Sequence, residues 1–260
     1  MRILSVFLAA ALALWMTVDV GGAGQARFLL DRGEVALDLG DGRVLSRDGL
    51  IGMILVVSNG NHDVQVRIDG IETDASRPGR PVTLYRTSLM TAGGAPAEAC
   101  AVDPQGRRAA FLYPEESGRF SFTCTSRAEG KCILFGYRPW EHRGRFPMRD
   151  LHRACVHMLR ADYGGDDRPT TRDGTEINIY DRFGIQEPSV APAMRFEAAW
   201  GPNGAICVAH PRIAEHVTLD QLAERYPDLK GRLGPDACTE DAMRVHPGAL
   251  ILNASVPAGP

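Results

Sequence analysis

Through the first half of the chain, apolar and polar positions alternate with a period of two. In "VQVRID", Val64, Val66 and Ile68 alternate with Gln65, Arg67 and Asp69, the pattern of a half-buried strand. "GMILVVSNGNHD" is an apolar, β-branched run ending in a turn signal at Asn59-Gly60. "PVTLYRTSLM" reads as a strand after a break at Pro78-Gly79, and "GRFSFTC" alternates Phe120 and Phe122 with polar partners. "DPQGRRAAFLYP" places a turn at Pro104 to Gly106, and "CILFGY" reads as a further strand after the turn "RAEG". Short strands at turn-marked spacing predict an antiparallel sandwich or barrel from about residue 34 to 137.

The period then changes. Leu151, Cys155, Met158 and Leu159 fall at i, i+4, i+7 and i+8, a helical stripe that Asp150 can cap and that Gly164 and Gly165 can end near Asp162. "TEINIYD" alternates as a strand, and "MRFEAAWGPNGAICVAH" reads as a β-hairpin turning at "GPNG". Thr218 and Gln221 have the spacing of a capping box, Thr239 can cap another short helix, and "GALILN" closes as a strand. "QEPSVAPA" is a Pro-rich surface connector. The fold class is α+β: an N-terminal antiparallel β sandwich or barrel-like part, residues 27–137, then a disulfide-stabilised α+β region, residues 138–260. The two form either separate units or one compact unit.

The N-terminus alters where this fold is expected to work. Arg2 precedes an almost wholly apolar run, residues 3–18, and Ala23 or Ala26 can end the segment before a cut. Residues 1–26 therefore read as a secretory signal peptide. The run is shorter than the ~20 residues of a membrane span, and Asp19 interrupts it. Nothing later is long and apolar enough to cross a bilayer, so a soluble secreted or periplasmic protein is expected after cleavage. A net charge of −3 with mixed signs argues against a nucleic-acid partner; an envelope or extracellular partner fits the compartment.

Six cysteines follow the signal segment: Cys100, Cys124, Cys132, Cys155, Cys207 and Cys238. An even number in an oxidising compartment reads as three disulfides, with the pairing open. Cys124 and Cys132, flanking the "RAEG" turn, form one candidate cross-strand pair. No CxxC or HxxxH spacing implies zinc, and no motif implies a cofactor.

The polar density of "HRACVHMLRADYGGDDRPTTRDGTEINIYD" raises the question of catalysis. Asp162, His152 and His157 are the acid–base candidates. At ~100° per residue Cys155 and His157 lie about 200° apart on a helix, a poor dyad. The aspartates lack EF-hand spacing, and Asp173-Gly174 is a turn signal. Asp162 at a helix C-terminus opposes the dipole, so it requires a partner such as Arg138, Arg160 or backbone N–H groups. Tyr163 is expected at the junction between the two halves. Arg138, Arg143 and Arg145, beside Trp140 and Phe146, make a candidate anion-binding segment. The expected function is non-enzymatic binding or assembly; the alternative is an envelope hydrolase built on Asp162 and a histidine.

Three segments in order, "FGYRPW", "LHRACVHMLRADYGGDDRPTTRDGTEINIYDRFGIQ" and "FEAAWGPNGAICVAHPR", resemble the ADYC-domain proteins. The resemblance covers most of the chain after residue 26. It implies an exported bacterial protein and no particular reaction. The motif is Ala161, Asp162, Tyr163 and Gly164, where the family's fourth letter is cysteine. Loss of that cysteine would remove its partner too, and Tyr226 is the candidate for the partner's place. A family nucleophile at this position is incompatible with glycine.

Overall fold

In the computed structural model of the chain, the described residues are 27–31, 34–58, 62–77, 80–91, 95–114, 120–144 and 146–257. The expected signal segment, the Asn59-Gly60 turn, the Pro78-Gly79 break and Arg145 lie outside them. Among the described residues no helix is long and apolar enough to cross a membrane.

The alternating first half builds two antiparallel sheets. Strands β1 (Arg27–Asp31), β2 (Glu34–Asp38) and β3 (Val44–Ser46) form the smaller. The larger contains β4 (Ile54–Ser58), β5 (Asp63–Asp74), β6 (Val82–Leu89), β7 (Ala97–Glu98), β8 (Ala110–Pro114) and β9 (Phe120–Cys124). It curls as a half-barrel in the order β4-β5-β6-β8-β9, with β7 also paired to β6. Period two sorts the side chains. Val35 and Leu37 of the small sheet meet Leu55, Ile68, Tyr85 and Leu112 on one face of the large one. Leu84 and Phe111, each adjacent in sequence to a residue of that cluster, point the other way onto Ile133.

That second face is covered by a helix where a strand was expected. Residues Ala128–Leu134 form α1, not a continuation of "CILFGY" as a strand. The β-branched and aromatic content suggested a strand, but packing decides otherwise. Gly130 lies so close to the end of β9 that a Cβ there would sit 2.2 Å from the Cys124 carbonyl oxygen. Cys132 and Ile133 then face opposite cores, both fully buried.

After the short hairpin β10 (His142–Arg143) and β11 (Phe146–Pro147) comes α2 (Met148–Arg160). Asp150 lies inside its first turn rather than at the cap. The buried stripe is Leu151, Cys155 and Met158, with Leu159 partly buried beside it. It packs on a four-stranded antiparallel sheet of β12 (Asn178–Asp181), β13 (Arg195–Gly201), β14 (Gly204–Val208) and β15 (Ile251–Ser255), in the order β12-β15-β13-β14. Ala198, Trp200, Val208 and Ile251 receive it. The remaining helices are α3 (Leu219–Arg225), begun by the expected Thr218/Gln221 capping box, and α4 (Glu240–Val245), capped by Thr239.

The six cysteines make three disulfides: Cys100–Cys124, Cys132–Cys155 and Cys207–Cys238. The Cys124–Cys132 candidate fails because the turn between them leads into α1, and each pairs elsewhere. Cys132–Cys155 ties α1 to α2, so the β-rich part and the α+β region share a core around Tyr137, Met148 and Leu151.

Candidate functional site

Helix α2 ends in a six-residue arrangement, residues 157–162. Ala161 N–H donates to Met158 O at 3.1 Å and Asp162 N–H to His157 O at 2.9 Å. These are the paired bonds of a Schellman motif. The left-handed residue that the motif requires is Ala161, at φ 47°, and not a glycine. Gly164 and Gly165 serve a different purpose from the helix stop expected of them. A Cβ on Gly164 would lie 2.1 Å from Cε1 of Tyr226, and one on Gly165 would lie 2.2 Å from Asn203 O. The Tyr226 ring thus occupies the space beside Gly164, and any side chain at 164 requires Tyr226 to move.

Asp162 is 1 % exposed, and its carboxylate is committed to the chain around it. Oδ1 accepts from the amide of Asp166 at 3.2 Å, and Oδ2 from the amide of Asp167 at 3.1 Å. His157 Nδ1 lies 3.1 Å from Oδ2. Neither Arg138 nor Arg160 is its partner; Arg160 pairs with Asp167 at 2.6 Å. Burial works to raise the Asp162 pKa, but the His157 hydrogen bond and charge together with loop amides outweigh it, so the carboxyl titrates below its ordinary 3.8.

A folded-state pKa below the unfolded value means stability that is present above the unfolded pKa and lost as pH falls through the folded one. Asp162→Asn is therefore expected to cost about 1–3 kcal/mol near neutral pH, because the amide NH₂ would face other donors. In urea denaturation the gap from wild type should close well below pH 3.8. A gap of the same size at both pH values would refute the carboxylate's role.

Tyr163 packs within the α+β region rather than between the halves. Its ring stacks on Trp200 with centroids 5.3 Å apart. Its hydroxyl donates to Glu197 Oε1 at 3.1 Å and accepts from the Arg212 amide at 2.8 Å. Glu197 and Arg212 form a bidentate pair, Nε to Oε2 and Nη2 to Oε1, both at 3.0 Å, with side chains no more than 1 % exposed. Asn253 Nδ2 donates to Glu197 Oε2 at 2.7 Å, and Trp200 Nε1 donates to Asn253 Oδ1 at 2.8 Å. Arg212 also donates to Met158 O at 2.8 Å and Leu159 O at 3.1 Å, carbonyls of the last turn of α2. Sequence reasoning missed Glu197, Arg212 and Asn253. The available signal was a glutamate inside the apolar strand "FEAAW". A β-bulge between Phe196 and Ala198 gives Glu197 its place.

The other catalytic candidates do not join Asp162. His152 is buried, its Nε2 3.0 Å from the Glu129 carbonyl oxygen, and burial lowers its pKa. The aspartates of the signature segment also disperse: Asp166 accepts from the Tyr226 hydroxyl, and Asp181 from the Tyr137 hydroxyl and three backbone amides. Among the described residues no cysteine is free. Of the anion-binding candidates, Arg138 is 6 % exposed and spends its guanidinium on the Pro81 and Arg80 carbonyls and on Glu141. Its burial removes it from that role. The Arg143 side chain lies outside the described residues, as Arg145 does.

A large cleft lies elsewhere. It measures about 1070 Å³ and runs between α1 with β9 on one side and residues 169–179 on the other. Arg127 and Lys131 line the first wall and Arg172 the second. A second cavity of about 500 Å³ continues it past the same Arg127 and Lys131. Asp162, His152 and His157 line neither.

No curated protein and no solved structure matches the chain. A family profile does: the ADYC domain matches residues 47–214, beginning just after β3, ahead of the curled sheet, and ending just after Arg212. The match spans the large sheet, α1, α2 and the Tyr163–Glu197–Arg212 network, most of the chain, and the protein belongs to the ADYC domain family.

Proposed function

We propose that the chain is exported, loses residues 1–26 and acts outside the cytoplasm as a non-enzymatic binding protein, its ligand seated in the cleft between α1 and residues 169–179. The apolar N-terminal pattern and three disulfides support the compartment. One observation carries the absence of chemistry: the acid–base candidates are spent on folding. Asp162 and His157 hold the end of α2, His152 is bonded to a carbonyl, and none of the three reaches the cleft.

The contact of His157 with Asp162 favours the hydrolase as a second reading, because an Asp–His pair can serve as a general base. The purified protein is expected to hydrolyse no member of a panel of esters, glycosides and peptides. Hydrolysis that His157→Gln abolishes without changing the melting temperature would overturn the binding reading. Cell fractionation with N-terminal sequencing is expected to find the chain in the periplasm or medium, beginning near residue 27; retention in the cytoplasm would overturn the export.

A further inference from the structure

The cleft holds a set of charges that the fold does not use. Arg127, at the N-cap of α1, and Lys131, in its last turn, stand one helical turn apart, and Arg172 lines the opposite wall. Among the described residues none of the three side chains has a carboxylate within ion-pair distance or a hydrogen bond. Other cations of the cleft are committed: Arg160 to Asp167, and Arg212 to Glu197. Carboxylates are present at Glu129 and Asp173, yet neither pairs with these three cations. Half-buried Tyr113, Phe122 and Phe135 give the same cleft apolar surface.

Resting on the binding function proposed above, we propose that this cleft binds an acidic polysaccharide. Shape selects a chain over a small anion. The two cavities share Arg127, Lys131 and Asp173, so the trough runs on past the cations in both directions. A free phosphate would engage one wall and leave the rest empty. A uronate polymer places a carboxylate on successive sugars, matching cations that stand apart on two walls, while its ring C–H faces meet aromatic surface. Nucleic acid would call for a strongly basic face, and the whole chain carries −3.

The test is titration calorimetry of the full disulfide-bonded protein with oligogalacturonate, alongside neutral dextran, inorganic phosphate and duplex DNA. Oligogalacturonate is expected to bind, more weakly as salt rises, and dextran not to bind. Arg127→Ala, Lys131→Ala and Arg172→Ala should each weaken binding about fivefold, and Arg172→Glu more. All four substitutions are in a partly or fully exposed setting, so the melting temperature is the fold control; the salt dependence of the wild-type protein tests the charge independently. No binding of oligogalacturonate, binding indifferent to the three cations, or equal binding of phosphate or DNA would overturn the proposal. Dextran binding without hydrolysis would overturn the acidic ligand and leave the binding function standing. Hydrolysis dependent on His157 would overturn the binding function instead.

Discussion

Arg212→Met is expected to lower stability by about 4–5 kcal/mol. Two losses combine. Glu197 keeps its charge in a site where its side chain has no exposure, with only Asn253 and the Tyr163 hydroxyl left to satisfy it. The Leu159 carbonyl loses its Arg212 donor, and the Met158 carbonyl keeps only the Ala161 amide. Methionine fills much of the volume but supplies no donor. Glu197→Gln should cost less, because Arg212 retains those two carbonyls and the Thr171 hydroxyl. A hydrophobic replacement of both partners is expected to be milder than the sum of the two single changes, since it strands no charge. Thermal denaturation reads the result: at about 2–4 °C per kcal/mol for a chain of this size, Arg212→Met should melt roughly 8–20 °C below wild type. A fall of only a few degrees would mean that water or a neighbour replaces the guanidinium, and that the network is not what joins α2 to its sheet.

The contrast between what could and could not be read from the sequence follows from range. Period-two alternation is local, so Val66 and Ile68, or Leu84 beside Tyr85, announced their faces. Caps are local too, and Thr218 with Gln221 formed the box that their spacing implied. Asp162 could be recognised as needing partners, because a carboxylate at a helix C-terminus is unfavourable. Its actual partners are the His157 ring and amides four and five residues on, and they follow a turn in which Ala161 adopts the left-handed conformation that the sequence suggested for a glycine. Glu197 and Arg212 were illegible because a bulge, which the hydrophobic pattern does not encode, gives Glu197 its place. Charge density misled in the segment around Arg138. Five arginines stand close together in sequence there, but Arg138 is drawn inside to hold carbonyls. The unpaired cations of the cleft come from two separate stretches, Arg127 and Lys131 from one and Arg172 from the other, and only folding assembles them.

Removing the Cys132–Cys155 bridge by paired alanine substitution is expected to cost about 3–4 kcal/mol, from the entropy of the unfolded loop that its 23-residue separation closes. Here the loss should also have a particular location. Helix α1 has seven residues, well short of the ~12–15 that a helix needs to be even marginal alone. It persists because Gly130 rests on the end of β9, Ile133 enters the core under the curled sheet, and Cys132 is bonded to α2. Without the bridge two of these ties remain, so α1 should fray before the sheets melt. Amide hydrogen exchange at residues 131–135 is then expected to rise more than in β5 or β6, while urea denaturation reports the global loss. Because Arg127 and Lys131 sit on α1, affinity for an anionic ligand should fall in the same variant, although neither cation has been altered. The Cys207–Cys238 bridge is the control: it ties β14 to the segment before α4, and its removal should destabilise the chain without loosening α1 or the cleft. Equal protection of α1 in both double variants would show that the helix is held by packing alone, and would detach the bridge from the cleft.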